Sequence, residues 1–507
     1  MFEPRTKLCG AGDTQTASLA ARRAALTLLV FALAWSGAGC GARRTPDLAR
    51  IFERAKSRKG KPPVVIIPGI LGSRLRNPAT NEIVWPSAIR SETDGLSLPM
   101  TPDLARNRDA LVADEIVTTA RLIPKLERIS PEVYVYRELL RALTDYAGYR
   151  EGSWDAPRAE DFEDTFYVFP YDWRRDNVET AAQLIGRLDE LKRKLGRPDL
   201  RFNVVAHSMG GLVARYAARY GAADLPPDGA APRPTWAGAS HVAKIFMIGT
   251  PNEGSAEAFV TLLEGYSITE GLRRRVRLLN KLGREDAVSI PAVYQLLPHA
   301  ESARFLDENL RELTVDLYDP NAWRGYGWSP ISDAEFRARY ARGEAKDENG
   351  PVGPRPAEEL DAYFAAVLKR ARRFHEALDA PSPVPPPVPL FAFGGDCEET
   401  LSAPVIMRDA KTNGWRTVTQ PRPLRNSAGR EWKRKEVERA MFEPGDGRVT
   451  RRSLMGETLR DVRRSRLFDT PLPISYAVFA CDLHSDLQKN KTIQNNALTI
   501  LVNEVLN

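Results

Sequence analysis

Ser208 is the residue whose surroundings first suggest chemistry. It lies in the stretch Arg201-Phe-Asn-Val-Val-Ala-His-Ser-Met-Gly210, with Gly211 next. A serine hydroxyl is a weak nucleophile until a base reaches it. The G-x-S-x-G arrangement exposes the oxygen on a sharp strand-to-helix turn, which demands tiny residues two before and two after the serine. Here those are Ala206 and Gly210. Alanine is the smallest residue that keeps a Cβ, so the turn remains feasible. The helix that follows directs its N-terminus at the reaction.

A serine nucleophile needs a base, and the chain offers five histidines. His207 adjoins the serine, and successive strand side chains point to opposite faces, which excludes it as the base. His241 precedes a strand, at the wrong edge of the sheet, and His299 and His375 fall in a long insertion. His484 follows directly after the last strand, in Ala480-Cys-Asp-Leu-His-Ser-Asp-Leu487. Its place fits the chain order nucleophile, acid, histidine. The acid must then lie between Ser208 and His484. Asp446 sits in Glu443-Pro-Gly-Asp-Gly-Arg-Val449, and Asp396 follows Gly394-Gly395. Residue types alone leave the two open. An oxyanion hole would draw on the Met209 amide and one from the turn Pro68-Gly-Ile-Leu-Gly72, either Ile70 or Leu71.

These residues need elements to hold them. Residues 62–73 run from a continuous apolar stretch into a glycine turn, and continuous hydrophobicity marks a strand buried on both faces. Further strands are expected over 166–169, 202–206, 242–248, 390–395 and 474–479. Helical spacing covers 178–195 and 209–220, and a final helix about 492–506. This alternation predicts an α/β fold, a mostly parallel sheet flanked by helices. Residues 77–130 read as irregular chain over the sheet. Residues 265–385 break the rhythm and read as a cap insertion, with an aromatic patch of Tyr318, Trp323, Tyr326 and Trp328. The proline-rich run at 381–389 would be a stiff connector back to the sheet.

The full chain has 507 residues and a net charge of +7. That charge is modest, and no aromatic-interleaved basic stripe is present, which argues against nucleic acid as a partner. No Cys/His cluster of metal-site spacing occurs, and neither metal nor organic cofactor is implied. Residues 1–39 resemble a bacterial lipoprotein signal: Arg22-Arg23, then a short apolar core, then Ser36-Gly-Ala-Gly-Cys40. Cys40 would be the lipidated residue, 40–61 a tether, and 62–507 the catalytic domain. The expected location is the cell envelope, lipid-anchored, or outside the cell if that cysteine is not used. Cys397 and Cys481 follow neighbouring late strands, so an exported chain is expected to bridge them.

Six motifs together resemble the lecithin:cholesterol acyltransferase family, which includes phospholipid:diacylglycerol acyltransferases. They are Pro-Gly-Ile-Leu-Gly-Ser at 68–73, Pro-Tyr-Asp-Trp-Arg at 170–174 and Ala-His-Ser-Met-Gly-Gly at 206–211. Gly-Thr-Pro-Asn-Glu-Gly-Ser at 249–255, Gly-Asp-Gly-x-Val at 445–449 and Leu-His-x-x-Leu at 483–487 complete them. The resemblance implies an α/β-hydrolase fold with a cap and ester chemistry on lipids through an acyl-serine. It makes Asp446 the acid and Ile70 an oxyanion donor. Ala206 and Arg448 depart from the family's usual residues without removing a catalytic group. Leu71, Trp85, Trp173, Trp323 and Trp328 are the expected substrate contacts, with a phospholipid or glycerolipid at a membrane surface as substrate. The segment 271–284 sets Leu272, Val276, Leu279 and Leu282 at helical spacing among six basic residues. A helix of that kind can lie on anionic headgroups. The oligomeric state is not readable.

Overall fold

The computed structural model describes residues 45–86, 95–121, 132–134, 136–267, 281–343, 346–347, 350–351, 353–409, 412–456 and 472–503. The leader with Cys40 and the basic stretch 271–280 lie outside these residues. The chain divides into two compact units, Met1–Asp47 and Leu48–Asn507, and every element named here belongs to the second.

Seven strands build one sheet: β1 (Val64–Ile67), β2 (Arg150–Glu151), β3 (Thr165–Val168), β4 (Phe202–His207), β5 (Val242–Ile248), β6 (Leu390–Gly395) and β7 (Ile474–Ala480). Their spatial order is β7-β6-β5-β4-β1-β3-β2. Every neighbouring pair is parallel. β4 to β7 run outward in chain order on one side, and β1, β3 and β2 lie on the other, so the chain changes direction at the β1/β4 pair. Open α/β sheets place their sites in the crevice at such a point.

Helices α1 (Asn177–Leu195), α2 (Met209–Tyr220), α3 (Ala256–Glu264) and α4 (Ala357–Asp379) lie between strands, and α5 (Lys491–Val502) follows the last one. The central strands are mostly apolar on both faces because alternate side chains serve two cores. Val65, Ile67, Val204, Ala206, Ile245 and Met247 pack with residues of α1, α2 and α4. Val64, Ile66, Val205, Phe246, Ile248 and Phe393 pack with residues of α5 and with Tyr136. Among the described residues no helix is long and apolar enough to cross a membrane.

Three expectations need correction. The proposed tether is folded from Leu48 onward: Leu48–Ile51 and Glu53–Ser57 are short helices. Leu48 and Phe52 are buried in the second core, which a loose polar linker could not arrange. Residues 77–130 are not simply irregular, since Ser73–Arg76 pairs antiparallel with both Ile83–Trp85 and Val112–Ile116. The cap ends earlier than 385, because α4 is a layer of the sheet domain. Phe374 stacks on Tyr216 of α2 at 5.8 Å, and Tyr220 Oη donates to the Ala377 carbonyl at 2.8 Å.

Candidate active site

β4 delivers Ser208 to the crevice, and the backbone turns sharply there, with φ 53° and ψ −126°. Two close approaches make this turn possible. A Cβ on Gly210 would fall 2.5 Å from the Pro68 carbonyl oxygen, and one on Gly69 would fall 2.8 Å from Ser208 Cβ. Glycine at both positions is therefore a packing requirement, and it brings the 68–73 turn against the serine. The Ser208 N–H donates to the Ile248 carbonyl at 2.8 Å, which ties the turn to the end of β5. Ser208 is 7% exposed.

Met209 opens α2 and Ile70 follows Gly69 in the facing turn. Among the described residues neither amide is bonded to another backbone carbonyl. Two such N–H groups beside a serine hydroxyl have the geometry to receive an oxyanion. Leu71 has φ 62° and is buried.

The imidazole arrives from β7. His484 donates from Nδ1 to Asp446 Oδ2 at 2.8 Å, and its backbone N–H donates to the Asp446 carbonyl at 2.8 Å. The other carboxylate oxygen, Oδ1, accepts from the Arg448 and Val449 amides at 3.0 and 2.7 Å. Asp446 is thus held by three donors and is 1% exposed. The same Gly249 that follows Ile248 lies against the ring: a Cβ there would be 3.0 Å from His484 Cε1. Ser208 and His484 therefore flank one turn. Asp396 is exposed at the end of β6, and the histidine's carboxylate partner is Asp446.

A disulfide joins Cys397 to Cys481, with Cα atoms 5.3 Å apart. It clamps the end of β6 to the end of β7, close before His484. Among the described residues, Cys397, Glu398 and Cys481 make the one trio of close metal-type donors. Both sulfurs are committed to the bridge, so the trio is no metal site.

The aromatic candidates are not presented to the crevice. Trp85 and Trp173 are wholly buried, edge to face at 5.6 Å, and donate to the Leu71 and Ser73 carbonyls at 2.9 and 3.1 Å. They brace the 68–73 turn from behind. Trp323 and Trp328 pack with Phe259 of α3 at 5.7 and 4.8 Å. Their N–H groups donate to the Leu317 carbonyl and to Thr417 Oγ1. An indole with buried faces and a satisfied donor is core, so these four residues do not act as substrate contacts in this state. Nothing in the sequence points to Tyr136, and His207 reads there only as a residue that cannot serve as the base. Tyr136 Oη lies 2.9 Å from His207 Nδ1, and the His207 and His484 rings are 4.9 Å apart. Only the adjacency of His207 to Ser208 signals this in the sequence.

The fold is that of an α/β-hydrolase, with Ser208 on a strained strand-to-helix turn. Residues 159–324 match the model of the lecithin:cholesterol acyltransferase family, so the resemblance read from the motifs holds over this stretch. The match carries the 170–174, 206–211 and 249–255 motifs and supports an esterase-type lipid enzyme. No curated protein matches the sequence. Among solved structures, the chain is similar to one described as the Tle4-Tli4 complex. Identity there is 15%, over 88% of this chain and 99% of that one, with a TM-score of 0.48. The Bacillus licheniformis lipase BlEst2 in propeptide form aligns at 12% identity, over 88% of this chain and 53% of that one, with a TM-score of 0.32. The phospholipase PlaB from Legionella pneumophila aligns at 13% identity over 47% and 33%, with a TM-score of 0.20.

Proposed function

We propose that the protein is a serine-dependent lipid acyl-ester enzyme that moves a fatty acyl group from a phospholipid or glycerolipid to an alcohol acceptor, and to water when no acceptor is present. The observation that carries this reading is the His484 Nδ1–Asp446 Oδ2 hydrogen bond of 2.8 Å, with the His484 ring against Gly249, the residue after the Ile248 carbonyl that the Ser208 N–H bonds. Ser208 Oγ attacks the ester carbonyl while His484 takes its proton. The carbonyl oxygen becomes an oxyanion, received by the Ile70 and Met209 amides. On collapse the ester's C–O bond breaks, and His484 returns the proton to the departing alcohol. The acyl-serine is opened by the same steps in reverse, with an acceptor hydroxyl or water as the attacking group. Asp446 keeps the imidazole in the Nδ1–H tautomer and offsets the charge that forms on it.

This machinery does not choose between water and alcohol, because both attack the same ester through the same groups. With Trp323 and Trp328 committed to core packing, the groups that hold an acceptor are to be sought elsewhere in the cap. Export through the leader, with a lipid on Cys40, would put the enzyme at a membrane surface and belongs to the same proposal.

The test uses purified full-length protein, a fluorophosphonate probe, and a labelled phospholipid with and without a long-chain alcohol or sterol. Labelled Ser208 with a new acyl ester in the acceptor arm supports the proposal. Free fatty acid alone, unchanged by any acceptor, makes the protein a phospholipase or lipase. An unlabelled Ser208 and no acyl release refute turnover and leave an envelope lipid-binding protein.

A further inference from the structure

Two buried side chains outside the Ser208–His484–Asp446 set bond to both halves of the site. Tyr136 Oη accepts from the Gly69 N–H at 2.8 Å and lies 2.9 Å from His207 Nδ1. Its oxygen sits directly under the glycine turn, where a Cβ on Gly72 would come within 2.9 Å of it. On the far side of the ring, His207 Nε2 lies 3.2 Å from the His484 carbonyl oxygen. Tyr136 is 1% exposed and His207 7%.

The proton positions follow from this inventory. A carbonyl can only accept, so His207 Nε2 must carry the hydrogen. The neutral ring then has Nδ1 as an acceptor, and the phenol must donate to it. The phenol oxygen in turn accepts from Gly69. The three links Gly69–Tyr136, Tyr136–His207 and His207–His484 then all donate in one direction. Burial, with the His484 ring nearby adding to it, pushes the His207 pKa down to about 3, so the neutral ring that this order needs persists at ordinary pH.

We propose that His207 and Tyr136 are positioning residues that join the oxyanion turn to the histidine loop in one hydrogen-bonded strut, routed along the face of β4 opposite the Ala206 side. Ile70 is one residue beyond the Gly69 end of the strut, and the His484 backbone is its other end. Backbone N–H, backbone carbonyl and Nδ1 of His484 are all bonded, so the ring is fixed along its own loop and across the strand. Neither strut residue touches substrate. The inference rests on the acyl-serine reading, because it gives both ends of the strut a reaction to serve.

The test compares wild type with Tyr136→Phe, His207→Phe, His207→Gln and the Tyr136→Phe/His207→Phe double variant. kcat and KM for an ester substrate, the rate of fluorophosphonate labelling at Ser208 and the urea midpoint are measured for each. Misplacing reacting groups by about an ångström costs on the order of 100-fold in rate. Each single Phe variant is therefore expected to lose about 10- to 100-fold in kcat and in labelling rate, with KM within about twofold. Links in series fail together, so the double variant should lose no more kcat than the worse single. His207→Gln, whose amide can still donate to the His484 carbonyl, should recover much of the loss. Should His207→Phe not fold, Tyr136→Phe and His207→Gln carry the comparison. Folded variants within about threefold of wild type in kcat overturn the strut, as do losses that multiply in the double variant. A wild type that neither labels nor turns over ester overturns the site reading itself, and this inference with it.

Discussion

Ser208 holds a backbone conformation that side chains with a Cβ rarely adopt, at a cost of about 1–3 kcal/mol. Ser208→Gly is therefore expected to raise unfolding stability by about 1 kcal/mol while abolishing ester turnover, read by urea titration beside an activity assay. At the acid position, Asp446→Asn should keep the fold and lower turnover by about 10⁴-fold, since the wrong imidazole tautomer would face Ser208. Asp396→Asn should leave turnover near wild type, and the opposite result would reverse the assignment. Ser208 and His484 are legible as candidates because strained turns and chain order leave marks in residue types. Asp446 was not separable from Asp396 without the family resemblance, as glycine-flanked aspartates are ordinary turn chemistry. The tryptophans were misread because nothing in a sequence says whether an indole faces solvent or another ring. Tyr136 carried no signal, since its partners are Gly69 and His207, far away along the chain.

Among the elements, β4, β5 and β6 stand out in the sequence as short, mostly apolar stretches, broken only by Asn203, His207 and Lys244, that have few alternatives. β2, two residues at the sheet edge, has no such run and was missed. The clamp between β6 and β7 should matter for both stability and chemistry. Closing a loop of 84 residues by a disulfide contributes about 4 kcal/mol in the chain-entropy account. Cys397→Ser/Cys481→Ser, or reduction, should lower unfolding stability by about 2–4 kcal/mol and slow turnover as the His484 loop loosens. The loop after β5 makes a pH prediction. Burial raises the Glu253 carboxyl to about 7 from its ordinary 4.5, against the opposing hydrogen bond from Ser302. The folded state then keeps a proton that the unfolded chain releases between those values, so stability falls as pH rises through that window. Glu253→Gln should be more stable than wild type at pH 8, by on the order of 3 kcal/mol, and equal to it near pH 4. A gain that persists undiminished at low pH would refute the buried proton.

At the scale of the whole molecule, one aromatic core joins the cap to the sheet domain: Phe259, Phe305, Trp323, Trp328 and Phe364. Trp328→Ala should cost about 3–5 kcal/mol in thermal or urea unfolding, a loss of packing rather than of substrate contact. The parallel sheet also orders events in time. A chain made from its N-terminus completes β1, β3, β4 and β5, with the nucleophile turn among them, long before Asp446 and His484 are synthesised. β7 is an edge strand that pairs with β6 alone, and only its docking swings the imidazole loop over Gly249. Until then the growing polypeptide owns a strained serine and no base to wake it. On the proposed mechanism, a ribosome-bound or half-exported chain would be harmless to the lipid around it, and a clip that frees β7 would disarm a finished one.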